Sequence, residues 1–252
     1  GDFHLSSGTI LKILIGQRGS RDRYAMSAGG GTFIATSDNT PLIVAGGGGG
    51  TGWANTTRHE TTDAVTNQDG QPGWYSGSLN NQGTNGNGGT NVNPWSHGGG
   101  AGAGFYGDGA ESNDRRGGTT VKPMAFINGG VGGYTPSNYF GPNGEQGGFG
   151  GGSAGGWGGA GGGGGYSGGG SDRNTQWSGG GGSYNSGTNQ DNSSGVRLGH
   201  GMAIITAPNQ SNNIPVASAL SVTGNEDETQ TITLIGSDAD GGILNYNLES
   251  SP

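Results

Sequence analysis

Residues 9–15 read Thr-Ile-Leu-Lys-Ile-Leu-Ile, a short apolar run broken only by Thr9 and Lys12 and closed by Gly16. Its length and β-branched content predict a strand. Gly31-Thr-Phe-Ile-Ala35 and Pro41-Leu-Ile-Val-Ala45 predict two more, separated by the turn-prone Ser37-Asp38-Asn39. Met124-Ala-Phe-Ile127 reads as a fourth, and Gly201-Met-Ala-Ile-Ile-Thr206 as a closing strand. No window places apolar residues at a 3.6-residue spacing, so essentially no α-helix is predicted.

A different period governs the glycine tracts. From Ala154 to Tyr166 every residue other than Gly falls on one phase of a three-residue repeat: Ala154, Trp157, Ala160 and Tyr166. Three residues per turn is the period of the polyproline II helix, which has no internal hydrogen bonds. Gly on two of three edges lets backbones approach closely there and leaves side chains on the third. This pattern predicts polyglycine II helices that bond laterally. Further tracts lie at 46–50, 98–104 and 179–182. The first follows Val44-Ala45 directly, so a strand is expected to pass into a glycine helix without a linker.

Composition tests this reading. Gly supplies 64 of 252 residues and only 27% are hydrophobic, which would also suit a disordered chain. The 5 Trp, 8 Tyr and 6 Phe, the flanking strands and the single-edge phasing argue for order. Only 9 Pro and no strict Gly-X-Y repeat exclude a collagen triple helix. The absence of Cys excludes disulfides and thiolate metal sites. No apolar run approaches the roughly 20 residues of a membrane helix, and no basic stripe suits nucleic acid. The net charge of −8 is concentrated after Ile214, where Glu226, Asp227, Glu228, Asp238, Asp240 and Glu249 meet no Lys or Arg. With no initiating Met or leader, and a stop at Pro252 just after a strand-like segment, the sequence is expected to be a piece of a longer protein.

Lys12-Ile-Leu-Ile-Gly-Gln-Arg-Gly19, Gly29-Gly-Gly-Thr-Phe-Ile34 and Pro41-Leu-Ile-Val-Ala-Gly-Gly-Gly-Gly-Gly50 resemble the glycine-rich ectodomain of the anaplastic lymphoma kinase and leukocyte tyrosine kinase receptors. Gly147-Gly-Phe-Gly-Gly-Gly and Gly161-Gly-Gly-Gly-Gly-Tyr-Ser-Gly-Gly-Gly170 continue it in the same order, over roughly residues 8–206. The resemblance implies a β-sandwich framework joined to a bundle of polyglycine II helices, serving extracellular ligand recognition. The chain departs from the family in lacking Cys, a kinase and a transmembrane region. At the level of pattern, Gly runs separated by aromatic, Asn-rich segments are also similar to the tip adhesins of some phage long tail fibres. Residues 213–246, with Asn225-Glu-Asp227 and Ser237-Asp-Ala-Asp-Gly241, resemble the first half of a bacterial cadherin-like or immunoglobulin-like tandem repeat. The expected organisation is a glycine-rich domain over 1–207, a linker over 208–213 and an incomplete repeat over 214–252.

Candidate chemistry is sparse. Glu226, Asp227, Asp238 and Asp240 could offer carboxylates to Ca²⁺, which takes 6–8 oxygens; the alternative is a solvated turn. Calcium is the one cofactor considered. Gly102-Ala-Gly-Phe-Tyr-Gly107 fits a dinucleotide fingerprint by letter but lacks its strand–helix setting. His4, His59, His97 and His200 are scattered and read as loop or surface residues. No Gly-x-Ser-x-Gly elbow sits between an apolar strand and a helix, and no catalytic residue is expected. Trp53, Trp74, Tyr75, Trp95, Tyr134, Tyr139 and Phe140 lie in the variable segments, where they either bind a ligand or cap the glycine bundle. The leading expectation is a non-enzymatic extracellular or cell-surface recognition module of a large bacterial protein, binding a cell-surface glycan or protein through segments 52–97, 105–146 and 171–195. The alternatives are a self-associating fibre or matrix subunit and a phage receptor-binding tip.

Overall fold

Three of the apolar runs become neighbouring strands. The computed structural model describes residues 1–21, 26–52, 59–74, 81–91, 98–111, 113–114, 118–136, 145–156, 158–172, 176–207, 214–221, 223, 229, 231–239 and 244. They divide into two compact units, 1–203 and 204–252. The first holds β1 (Leu11–Leu14), β2 (Thr32–Thr36), β3 (Pro41–Ala45), β4 (Asn113–Asp114), β5 (Gly118–Thr119), β6 (Tyr134–Thr135), β7 (Glu145–Gln146) and β8 (Tyr184–Asn185). Strands β1-β2-β3-β8 form one antiparallel sheet in that order, while β4–β5 and β6–β7 are two-residue hairpins. The described residues contain no α-helix and only two single 3₁₀ turns, so the chain is mainly β and largely irregular by hydrogen-bond pattern. None of their helices is long and apolar enough to cross a membrane.

The sheet has one dry face. Leu14, Phe33, Val44 and Tyr184 lie in a row across the four strands. The first three are buried, and Tyr184 packs against the cluster they begin. The adjacent row, Ile13, Ile34 and Ile43, takes the opposite face, as the alternation of a strand demands. The inner row receives two aromatic plugs, each from the end of a glycine tract. Phe105 packs 4.7 Å from Phe126, which stacks 5.0 Å from Phe33. Tyr166 stacks on Tyr184 at 4.6 Å. Rings of this size bury 150–250 Å² each, which gives a chain poor in Leu, Ile and Val a small but continuous core.

The glycine tracts satisfy their backbone with period three. Along 161–166 successive N–H groups donate to Met26, Gly100, Gly179, Gly29, Ala103 and Gly182, at 2.8–3.2 Å. The partner therefore rotates through three neighbours and advances three residues on each return. Along 100–105 the acceptors are Ala154, Ala110, Gly169, Gly151, Gly107 and Tyr166, the same rotation run antiparallel. Segment 26–31 repeats it against 48–51, 17–20 and 150–153. Carbonyls of 161–164 accept from Gly50, Ser153, Gly169 and Gly47, so six segments surround this central one.

The sequence pattern predicted two bonded edges and a third for side chains. All three edges are bonded, because a buried N–H cannot be left without an acceptor whichever residue carries it. Tyr166 donates to Gly182 while its ring enters the core. The phase that carries side chains admits only small ones in the interior: Ala154 and Ala160 are fully buried. At Gly163, on that same phase, an added methyl would collide with the Gly47 carbonyl.

Sheet and tract share one register. Val44 pairs with Tyr184, the Gly47 carbonyl accepts from Gly181, and the Gly50 carbonyl accepts from Ser178. The antiparallel pairing thus runs from β3–β8 into 46–50 and 178–183 without a slip.

Two predicted strands are corrected. Residues 124–127 do not form one: Phe126–Asn128 is a 3₁₀ turn closed by Gly129 at φ 99°. The Asp108 carboxylate accepts from the Ala125 N–H (2.8 Å) and the Asn128 amide (2.9 Å), which folds the run back and drives Phe126 into the core. Residues 202–206 enter no ladder. Strand propensity is realised only against a partner, and Met202, Ile204 and Ile205 stay exposed. In the second unit the described residues give one antiparallel pair, β9 (Val216–Ala217) with β10 (Gly236–Ser237); Val216 and the flanking Ile235 are exposed.

Candidate functional site

The most chemically distinctive surface of the first unit is built along one edge of segment 178–183. Trp177, Gly180 and Ser183 share one phase of its three-residue repeat, and residues 59–74 lie against that phase. The Trp74 N–H donates to the Trp177 carbonyl (2.9 Å) and the Gln71 N–H to the Gly180 carbonyl (2.8 Å). Gly180 in turn donates to Thr61 (2.9 Å) and Ser183 to Asn67 (2.8 Å). A segment whose own regular structure is a single 3₁₀ turn is thereby held by main-chain bonds at every level of the tract.

At the Trp177 end three rings meet. The His59 imidazole stacks on the Trp177 indole with centroids 4.0 Å apart and planes 11° from parallel. The Trp74 indole meets Trp177 edge-on at 6.0 Å. All three are half-buried. His59 caps the 3₁₀ turn Glu60–Thr62, with its Nδ1 accepting from the Thr61 N–H at 3.3 Å. The same nitrogen lies 2.9 Å from the Thr61 hydroxyl. The Thr62 hydroxyl donates back to the His59 carbonyl at 2.6 Å. The ring is thereby held by its own turn as well as by Trp177.

Trp177 is positioned from beneath by a buried acid. Asp172 is fully buried, and its carboxylate accepts from the Ala160 N–H (3.0 Å) and the Gln176 N–H (2.9 Å). Its own N–H donates to the Ser178 hydroxyl (2.9 Å), which donates to the Ala160 carbonyl (2.7 Å). Asp172 so brackets Trp177 through the residues on either side of it. Burial pushes its carboxyl up to about 7, against the lowering effect of those N–H groups.

Further along the same edge, at the levels of Gly180 and Ser183, a groove of about 410 Å³ opens between residues 65–71 and Asn85. Val65, Asn67, Gln68, Asp69, Gln71 and Asn85 line it. Asn67, Gln68, Asp69 and Asn85 are exposed. Asn85 holds a left-handed backbone at φ 53°, at the turn where 83–87 passes Gly168.

Of the residues singled out from sequence, Trp74 belongs to this surface. Tyr134 lies in the separate β6–β7 hairpin, half-buried and bonded through its backbone to Val121, with no ring contact to Trp74 among the described residues. Trp53, Tyr75, Trp95, Tyr139 and Phe140 lie outside the described residues. So do Glu226, Asp227 and Asp240 of the candidate calcium set; Asp238 is described, and among the described residues no group of three His, Asp or Glu could hold a metal. Sequence reasoning passed over Trp177 and His59. Trp177 carries one usable signal: it stands on the phase of Gly180 and Ser183, just ahead of a glycine tract. For His59 there was none, since its partner is distant in sequence.

Compared with protein-family models and with curated protein sequences, the chain matches none.

Proposed function

We propose that this chain is an extracellular, non-enzymatic recognition module in which a rigid glycine layer displays variable segments to a partner on a cell surface. The observation that carries the reading is the half-exposed Trp74–Trp177–His59 cluster, set on a tract whose backbone is bonded on three sides. Aromatic residues held still before binding lose little entropy on docking, and Trp is enriched where binding energy concentrates. The period-three bonding supports polyglycine II helices for 26–31, 100–105, 161–166 and 178–183. The four-stranded sheet is then one layer of the β-sandwich framework implied by the receptor-ectodomain resemblance. The antiparallel pair of the second unit, with its exposed apolar residues, supports the reading of residues 214–252 as part of an adhesin-type repeat.

The test is binding of the labelled chain to a panel of bacterial and animal cells. The reading expects saturable binding to some of them, reduced at least tenfold by Trp177→Ala. Absence of binding across the panel, or binding indifferent to that substitution, would overturn it.

One observation favours a second reading, a self-associating subunit. β1 lies at the edge of its sheet, with Ile10, Ile13 and Ile15 exposed along it. Unpaired edges of this kind template further pairing. Light scattering separates the two, since the self-association reading requires growth with concentration and the recognition reading a constant monomer mass.

A further inference from the structure

We propose that the surface made by residues 59–74 is a cleft for a neutral, linear oligosaccharide of about four sugar units, with its aromatic end at Trp177 and its hydrogen-bonding end in the amide groove. The inference rests on the recognition reading above and names its ligand class.

Three observations carry it. The first is the chemistry of the groove. Asn67, Gln68, Gln71 and Asn85 each offer both an N–H₂ donor and a carbonyl acceptor, and Asp69 adds an acceptor. A sugar hydroxyl is itself donor and acceptor, so mixed amides match it as no single-sign lining would. Among the described residues no Lys or Arg lines the groove, and the one charge there, Asp69, is negative. A phosphorylated, sulfated or uronic ligand would meet Asp69 with no cation to balance it. A protein hot spot would call for an apolar pocket at this place, and among the described lining residues Val65 is the one apolar side chain.

The second is the aromatic platform. The C–H faces of a pyranose ring are apolar, and half-exposed indoles fixed by His59 and by the main chain offer them a ready surface. A ring that is amphipathic, with an apolar body and a polar tip, suits a ligand of the same character.

The third is spacing. Trp177, Gly180 and Ser183 follow one another on the same edge, each level tied to residues 74, 71 or 67 of the covering segment. At about 3.1 Å per residue the six steps span roughly 19 Å, the reach of about four pyranose units in an extended chain. Stacking at one end and amide contacts at the other would then be met by one linear molecule, so that affinity accumulates with length.

The probes are the β-1,4-linked oligomers of glucose, N-acetylglucosamine and mannose, one to six units long, titrated into the full chain by calorimetry and tryptophan emission. At least one series should tighten tenfold or more from monomer to tetramer and change little beyond. Gln71→Ala combined with Asp69→Asn should flatten that length dependence while leaving weak binding of the short oligomers. Trp177→Ala should weaken every length and remove the emission change. Gln71 and Trp177 hold the fold through their main-chain bonds, and unchanged urea midpoints verify that the variants are folded. Failure of all three series to bind, a length dependence untouched by the groove variants, or tighter binding of sulfated tetramers would each overturn the proposal. Protease-sensitive cell binding that needs Trp177, in a chain blind to every oligomer, would sink the oligosaccharide alone and leave the recognition reading standing.

Discussion

Asp172 shows what a single residue contributes in a chain with so little apolar mass. Its carboxylate joins Ala160, on one glycine tract, to Gln176, beside the next, and its N–H donates to the Ser178 hydroxyl, in a site that water does not reach. The N–H donors favour the ionised form and burial favours the neutral one, and burial prevails. Because the folded value, about 7, lies above the ordinary aspartate value of 3.8, the folded state binds the proton more tightly than the unfolded chain. The stabilisation is complete below the unfolded value and fades as pH rises through about 7. Over that window the first unit should lose on the order of 4 kcal/mol, at 1.36 kcal/mol for each pKa unit. Urea midpoints measured from pH 4 to 8 should fall with rising pH. Asp172→Asn should remove most of that slope and cost about 1–3 kcal/mol, since the amide must turn a donor toward one of two N–H groups. A wild-type curve that is flat across the window would show that the site stays ionised throughout.

At the scale of elements, the question is why a tract must be glycine. Gly163 and Gly29 separate two answers. A methyl at Gly163 meets the Gly47 carbonyl, whereas at Gly29 the nearest atom would be the Gly48 nitrogen at an ordinary 3.5 Å. Gly163→Ala should destabilise the first unit by about 1–3 kcal/mol, the range for overpacking. Gly29→Ala should be neutral or stabilising by about 0.4–1 kcal/mol, through the unfolded chain alone. Calorimetric melting of both variants checks the pair, and equal losses would mean that close approach is not what selects glycine. The same contrast explains what could be read in advance. The Pro41–Ala45 strand and its passage into 46–50 were legible because composition changes sharply at Ala45. The phase of Ala154, Ala160 and Tyr166 was legible because it repeats locally. β8 was not, since Tyr184-Asn185 has no apolar run and becomes a strand only by continuing the 178–183 register beside β3. The 124–127 turn was misread because its cause, Asp108, lies outside the run. Likewise the pairing of Trp177 with His59 follows from tract packing, which no local pattern encodes.

At the scale of the first unit, the glycine layer and the sheet should open together. The tracts have almost no side chains of their own to bury, and their amides are protected only while six neighbours remain in place. Two of those neighbours, 46–50 and 178–183, continue β3 and β8 directly, and Phe105 and Tyr166 add a second tie, their rings packing in the cluster of Phe33, Val44 and Phe126. Losing the cluster frees the ends of 100–105 and 161–166, and each freed tract removes acceptors from the next. Hydrogen exchange under mild denaturant should therefore give the amides of 161–166 the same opening free energy as those of Phe33 and Val44, the value for global unfolding of the unit. The antiparallel pair at 216–217 and 236–237 should exchange at low protection, as isolated pairs of this size do. Phe105→Leu, which keeps an apolar plug but removes the ring contacts, should lower the protection of tract and sheet alike. If 161–166 instead opens well below the sheet, the aromatic plugs do not couple the two parts. The surface along 59–74 would then rest on a layer that breathes independently, and the rigidity on which the proposed recognition depends would be lost.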